Sequence, residues 1–170
     1  MGRNSGWHRG LGRALVVCAL AGGTVTALTP LAAQAGTGGT EYVATTGTDS
    51  GTCRLASHPC QTIGYALTQN TTDSTIMVAA GDYPEQLTIT APVTIDGAGA
   101  STVIDPSAVA ANDTDPNHTT TPYPIVDVNG TNKVKLENLT VDGSAAVNHY
   151  NSCTQNPMGI YYHNASGSMA

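Results

Sequence analysis

Ile76-Met77-Val78, Leu87-Thr88-Ile89, Val93-Thr94-Ile95 and Thr102-Val103-Ile104 follow one another closely, each closed by Gly, Pro, Asp or Asn. Short β-branched or apolar runs bounded by turn residues read as short strands. No 3.6-residue periodicity connects them. They are too short and too close for a sandwich, and no helices fall between them as a βαβ fold requires. The arrangement that fits is an all-β coil of short parallel strands, a right-handed β-helix solenoid. Successive strand residues point to opposite faces. Ile76, Val78, Leu87, Ile89, Val93 and Ile95 are therefore expected inside, and Met77, Thr88 and Thr94 outside. Gly81-Asp82 and Asp96-Gly97 read as turns, and Pro84 and Pro92 stand at strand entrances, where a missing N–H does little harm.

The next strands should stack on these. Thr102–Ile104 is expected over Ile76–Val78, and Ile125–Val128 over the Leu87 strand. Val134 to Val141 should follow the Val93 strand, with Asp142-Gly143 echoing Asp96-Gly97. Gly159-Ile160-Tyr161-Tyr162 reads as the opening strand of a further circuit. The faint repeat predicts about two rungs plus the start of a third. The last circuit is unfinished at Ala170, so residues 41–170 read as the N-terminal part of a longer β-helix domain. Asn138 and Asn164 read as turn residues rather than interior amide ladders.

The chain begins differently. Arg3, His8, Arg9 and Arg13 form a basic segment, and an apolar run from Ala14 to Leu28 leads to Pro30 and Ala33-Gln34-Ala35. This is the pattern of a secretory signal peptide over residues 1–35. The apolar run is short for a membrane span and is broken by Gly22-Gly23. Residues 36–40 follow as a flexible leader. Without residues 1–35 the bases are Arg54, Lys133 and Lys135 against 12 acids, a net charge of −9. So acidic a surface repels nucleic acid, because there is little to displace phosphate counterions.

Cys53 and Cys60 enclose a short loop and, in an oxidising compartment, are expected to pair. Cys153 is left without an assigned partner. The cysteine spacings match no familiar zinc site. Residues 61–69 read as the one helix of the mature chain: Ile63, Ala66 and Leu67 make an apolar face, and Asn70 can end it. Its expected role is to cap the apolar end of the coil, as solenoids require.

Tyr42-Val43-Ala44-Thr45, the helix at Thr62–Leu67, Thr75 through Tyr83 and Pro92 through Gly99 together resemble the opening of secreted right-handed parallel β-helix proteins. The family is the pectin lyase-like superfamily, which starts with a strand, a capping helix, a strand ending at Ala-Gly-x-Tyr and a strand ending at Gly-x-Gly. The resemblance covers about residues 41 to 105 and implies the fold. It implies no single activity, since the family spans esterases, lyases, glycosidases, epimerases and adhesins. Its esterases use a glutamine, two aspartates and an arginine that nothing here matches. Its calcium-dependent lyases use an arginine base, and the only arginine after residue 35 is Arg54, in the cysteine loop.

Two polar insertions, residues 106–124 and 144–157, are expected to border one sheet and wall a groove. Asp113, Asp115, His118, His149, Tyr150, Tyr161, Tyr162 and His163 are the candidate lining. Tyrosine faces stack on sugar rings, and carboxylates accept from hydroxyls. In Tyr161-Tyr162 only one ring can point outward. Asp113 and Asp115 are more often turn formers than an acid/base pair, and the histidines more often solvated than metal-bound. No metal site and no cofactor are implied, Ca²⁺ at Asp113, Asp115 and Asn117 being the alternative. The expected function is extracellular or cell-surface carbohydrate binding or a structural role, with no catalytic site in this segment. The alternative is the N-terminal part of a polysaccharide-active enzyme whose catalytic rungs are missing. The expected partners are polysaccharide and, through the open last rung, a second copy; no membrane span is expected after cleavage of the leader.

Overall fold

The short apolar runs form strands, and the strands are parallel. The computed structural model describes residues 38–71, 73–111, 121–149 and 155–170. The expected signal peptide at 1–35, the first two residues of the leader expected at 36–40, Asp113, Asp115, His118, Tyr150 and Cys153 lie outside them. The rest of that leader is tied down: the Gly39 carbonyl accepts from Thr75 N–H at 2.9 Å, and Thr40 opens the first strand. The strands are β1 (Thr40–Val43), β2 (Ser74–Val78), β3 (Gly81–Tyr83), β4 (Leu87–Ile89), β5 (Val93–Gly97) and β6 (Thr102–Ile104). They continue with β7 (Thr121–Asn129), β8 (Val134–Glu137), β9 (Thr140–Val141), β10 (Gln155–His163) and β11 (Gly167–Met169). One α-helix, α1 (Ile63–Gln69), lies between β1 and β2.

Three sheets result. Sheet I has the order β1-β2-β5-β8-β11, sheet II β3-β6-β9 and sheet III β4-β7-β10. Every pair within them is parallel. From β2 onward the chain visits sheets I, II and III in turn, three times, and then returns to sheet I. Like side chains therefore stack in columns. Ile76, Ile95 and Leu136 are in register in sheet I. Tyr83, Ile104 and Val141 align in sheet II, and Leu87, Val126 and Ile160 in sheet III. These columns form the core with Val78, Ile89, Val93 and Val128. Ile76, Val78, Leu87, Ile89, Val93 and Ile95 are buried, as read from the triplets; of the three residues expected outside, Met77 and Thr88 are exposed and Thr94 is half-buried.

The expected stacking needs several corrections. Instead of about two circuits and the start of a third there are three and the start of a fourth, β11. Of the stretch expected to follow the Val93 strand, only β8 pairs with β5; Thr140–Val141 pairs with β6. Thr102–Ile104 pairs with Gly81–Tyr83, not with Ile76–Val78, whose partner is Val93–Gly97. The cause is that Gly81-Asp82 is not a turn but the start of β3. No β-branched residue marks that strand. It is fixed because the Tyr83 ring is buried, its hydroxyl donating to the Ala79 carbonyl at 2.9 Å. Likewise β10 pairs with β7 and belongs to the third sheet visited, not the first. Asp96-Gly97 ends β5 rather than turning. Asn138, at φ 54°, folds over it, and a Cβ on Gly97 would run into the Asn138 carbonyl oxygen. Asn138 and Asn164 (φ 48°) are exposed left-handed turn residues, as expected.

The disulfide Cys53–Cys60 is formed. Its loop completes the hydrogen bonding of β1: Tyr42 N–H donates to the Cys53 carbonyl (2.7 Å), Cys60 N–H to Tyr42 (2.9 Å) and Ala44 N–H to Cys60 (2.9 Å). The free edge of sheet I is thus occupied, which removes a template for pairing with another chain. Helix α1 starts two residues later than expected because Thr62 is its N-cap, accepting from Tyr65 N–H. Carboxylates take the remaining N-terminal donors. Asp49 accepts from the Gln61 and Thr62 N–H groups (2.7 and 2.9 Å), and Glu85 from those of Ile63 and Gly64 (2.8 and 2.7 Å). An uncapped helix start leaves these donors unsatisfied. Ile63 and Ala66 are buried, and α1 packs on β1, β2 and β4, the first strands of sheets I and III. Among the described residues no helix is long and apolar enough to cross a membrane.

Candidate functional site

The outer face of sheet III carries the densest set of chemically useful side chains. In β4, Thr88 alternates with buried Leu87 and Ile89, so it points outward. Its register partner in β7 is Asp127, and the partner of Asp127 in β10 is Tyr161. The three share one outer row. Two residues further along the strands, Asn129 pairs with His163; in the other direction, Tyr123 pairs with Pro157. Tyr161 and His163, two apart on β10, lie on the same side. Their rings are stacked with centroids 5.8 Å apart and planes inclined by 26°.

Asp127 has no solvent exposure, although Thr88 beside it is exposed. Ile125, on the same outer side of β7, is buried as well. The outer face of β7 is therefore covered. Part of the cover is the segment after β9: a Cβ on Gly143 would touch the Ile125 side chain at 3.0 Å, and Ala146, in the 3-10 segment Ser144–His149, is buried. The entry to β7 is fixed by Gln86. Its amide donates to the Ala110 and Pro124 carbonyls, both at 2.8 Å, and accepts from Ala110 N–H at 3.0 Å. The result is a carboxylate sunk between an exposed hydroxyl and a tyrosine, next to a flat tyrosine–histidine pair. The tyrosine–histidine pair can stack on an apolar ring face and the exposed Thr88 hydroxyl can bond a ligand, with Asp127 beneath the cover between them.

Of the residues expected to line a groove, Tyr161 and His163 are on this face. Tyr162 is not: it is in register with Val128 and packs against the core, where burial pushes its hydroxyl above the usual tyrosine range. His149 ends the 3-10 segment that adjoins the face, and its side chain lies outside the described set. Asp113, Asp115, His118 and Tyr150 also fall outside it, so neither their expected role nor the Ca²⁺ alternative has a described geometry. Among the described residues no three His, Cys, Asp or Glu side chains gather as a metal set. Asp127 was missed by sequence reasoning. Its signal was there: a carboxylate set into the apolar run Ile125-Val126-Asp127-Val128 interrupts a strand that is buried on both sides.

No family model matches the chain, and no curated protein registers as a relative of it in sequence.

Proposed function

We propose that this chain is a secreted right-handed parallel β-helix protein of the pectin lyase-like kind, and that it binds carbohydrate outside the cell through the β10 side of the outer face of sheet III. The architecture is supported by the repeated visiting order of three parallel sheets and by same-on-same core columns, the pattern a solenoid produces. Secretion is supported by the basic and apolar segments before Ala33-Gln34-Ala35 and by the Cys53–Cys60 disulfide, which belongs in an oxidising compartment. Binding rests on one observation, the Tyr161–His163 stack beside the buried Asp127.

Affinity electrophoresis through gels loaded with neutral and acidic polysaccharides tests it. At least one polysaccharide is expected to retard the protein. Tyr161→Ala should lose the retardation, and Tyr162→Phe, altered on the inner side, should keep it. Retardation by none, or equal retardation of Tyr161→Ala and wild type, rejects the reading. A mass spectrum of exported protein should show Gly36 as the first residue.

Asp127 also favours the second reading, a polysaccharide-active enzyme, because a buried carboxylate beside a binding face is where an acid or base would sit. In that case incubation with the retained polysaccharide would release new reducing ends or unsaturated products, and Asp127→Asn would abolish them while leaving retardation in place.

A further inference from the structure

We propose that a second site, on the outer face of sheet I, takes a cationic amino sugar. Tyr42, Met77 and Asp96 are in register on β1, β2 and β5 and point away from the core. One residue beyond the buried ends of these strands come Ala44, Ala79 and Ala98, the next outward positions. Three small side chains in line leave a trough, a cleft of about 290 Å³. That is near the lower end of small-molecule sites, about 300 Å³.

Its wall is Ala56 and Pro59 of the disulfide loop. That wall is held in place by the Cys53–Cys60 bond, by His58 N–H donating to Leu55 (2.9 Å) and by Thr48 N–H donating to Pro59 (3.1 Å). A preformed wall spares the ordering cost of binding. Met77 leaves a large apolar surface open at 39% exposure.

The ligand class follows from what the trough lacks. The backbone groups of β2 and β5 are paired on both sides within the sheet, and β1 is paired by β2 and by the disulfide loop. An extended peptide would find no free ladder to join. Recognition must run through a flat apolar surface and one carboxylate, which suits a pyranose ring bearing a positive charge. Among the described residues Asp96 is the only charged one lining the cleft. One of its oxygens accepts from the Asn138 amide at 2.8 Å, which orients the other. None of the described bases, Arg54, Lys133 and Lys135, lines the cleft; Lys135, further along the sheet, is turned to Glu137 at 2.7 Å, and Arg54 to Glu41. The described residues carry ten carboxylates against three bases, so an acidic sugar is repelled and an ammonium is attracted.

Calorimetric titration of the whole protein with a β-1,4-linked glucosamine tetramer, and with its N-acetylated counterpart, decides the matter. The free-amine tetramer should bind. Ala79→Leu, at an exposed position, should fill the trough and abolish binding without lowering the melting temperature. Asp96→Asn should weaken binding about tenfold, as loss of a charge-assisted contact does. The N-acetylated tetramer should bind about tenfold more weakly for the same reason. Tyr161→Ala should bind like wild type, which separates this site from the sheet III face. The proposal is overturned by an absence of binding, by unchanged affinity in Ala79→Leu or Asp96→Asn, by equal affinity for the two tetramers, by tetralysine binding as tightly, or by loss of binding in Tyr161→Ala.

Discussion

Glu41 occupies a position that its neighbours fill with aliphatic side chains. It is in register with Ile76, and that column continues through Ile95 and Leu136. Its side chain has no solvent exposure, and its cationic neighbour is the half-exposed Arg54, with Nε at 3.7 Å. Arg54 is held by a 3.2 Å hydrogen bond to the Thr71 hydroxyl. Removing one partner of such a pair leaves a buried charge uncompensated. Arg54→Ala is therefore expected to cost about 1–3 kcal/mol in denaturant unfolding, tempered by the exposure of the arginine. The double variant Glu41→Gln/Arg54→Ala should recover part of it. Glu85 is a different case. Burial raises its pKa from 4.5, the donated Gly64 and Ile63 N–H groups lower it, and the Asp49 charge raises it; the net direction is upward. The folded state thus holds the Glu85 proton more tightly than the unfolded chain does. That contribution to stability is full below the ordinary glutamate range and is lost as pH rises through the elevated pKa. Melting temperature followed upward from pH 4.5 should carry this falling component, and Glu85→Gln should flatten it. Neither residue could be read from sequence. A carboxylate's partner lies in another part of the chain, as Arg54 and the α1 amides do here, and no local pattern announces it. Asp127 was more legible, since it interrupts an apolar run.

The disulfide loop shows how one element can serve an edge. Its eight residues close a ring whose bond is expected to contribute about 2–3 kcal/mol by restricting the unfolded chain. Its carbonyl and amide groups also complete the pairing of β1. Cys53→Ser/Cys60→Ser should lower unfolding stability by about that amount and, unlike Arg54→Ala, should raise aggregation by baring a strand edge. Light scattering during thermal unfolding distinguishes the two effects. At this scale the sequence was informative wherever an element carries its own pattern. Helix α1 was legible from Ile63, Ala66 and Leu67, and β2, β4, β5 and β6 from β-branched alternation. β3 was not, because Gly81-Asp82-Tyr83 is turn chemistry by composition. It becomes a strand only because Thr102–Ile104 lies alongside and the Tyr83 ring is buried. That one hidden strand explains why Thr102–Ile104 was expected over β2: without β3, Val93–Ile95 counts as the third strand of the first turn, whereas it opens the second, over β2.

Across the described molecule, the two ends of the sheets are treated differently. At the start, the disulfide loop and α1 cover strand edges and core. At the other end, β9, β10 and β11 are each paired on one side only, and a cleft of about 610 Å³ lies among Leu136, Leu139, Val141, Ile160 and Met169. Unpaired edges beside apolar surface favour strand addition. Sedimentation velocity of the chain should show concentration-dependent association, and Met169→Lys, at a 61% exposed position on β11, should reduce it. A single species at every concentration would contradict this. The spacing between in-register partners has a mechanical consequence as well. Ile76, Ile95, Leu136 and Met169 follow one another in sheet I, so the returns to that sheet take 19, 41 and 33 residues. β1 and β11 stand at opposite edges of it. A pull on the two ends would load the ladders in series and peel them, instead of shearing them together. The molecule would pay out chain like a spool, in lengths of about 110, 140 and 65 Å at roughly 3.4 Å per residue, and would give way at low tension one turn at a time.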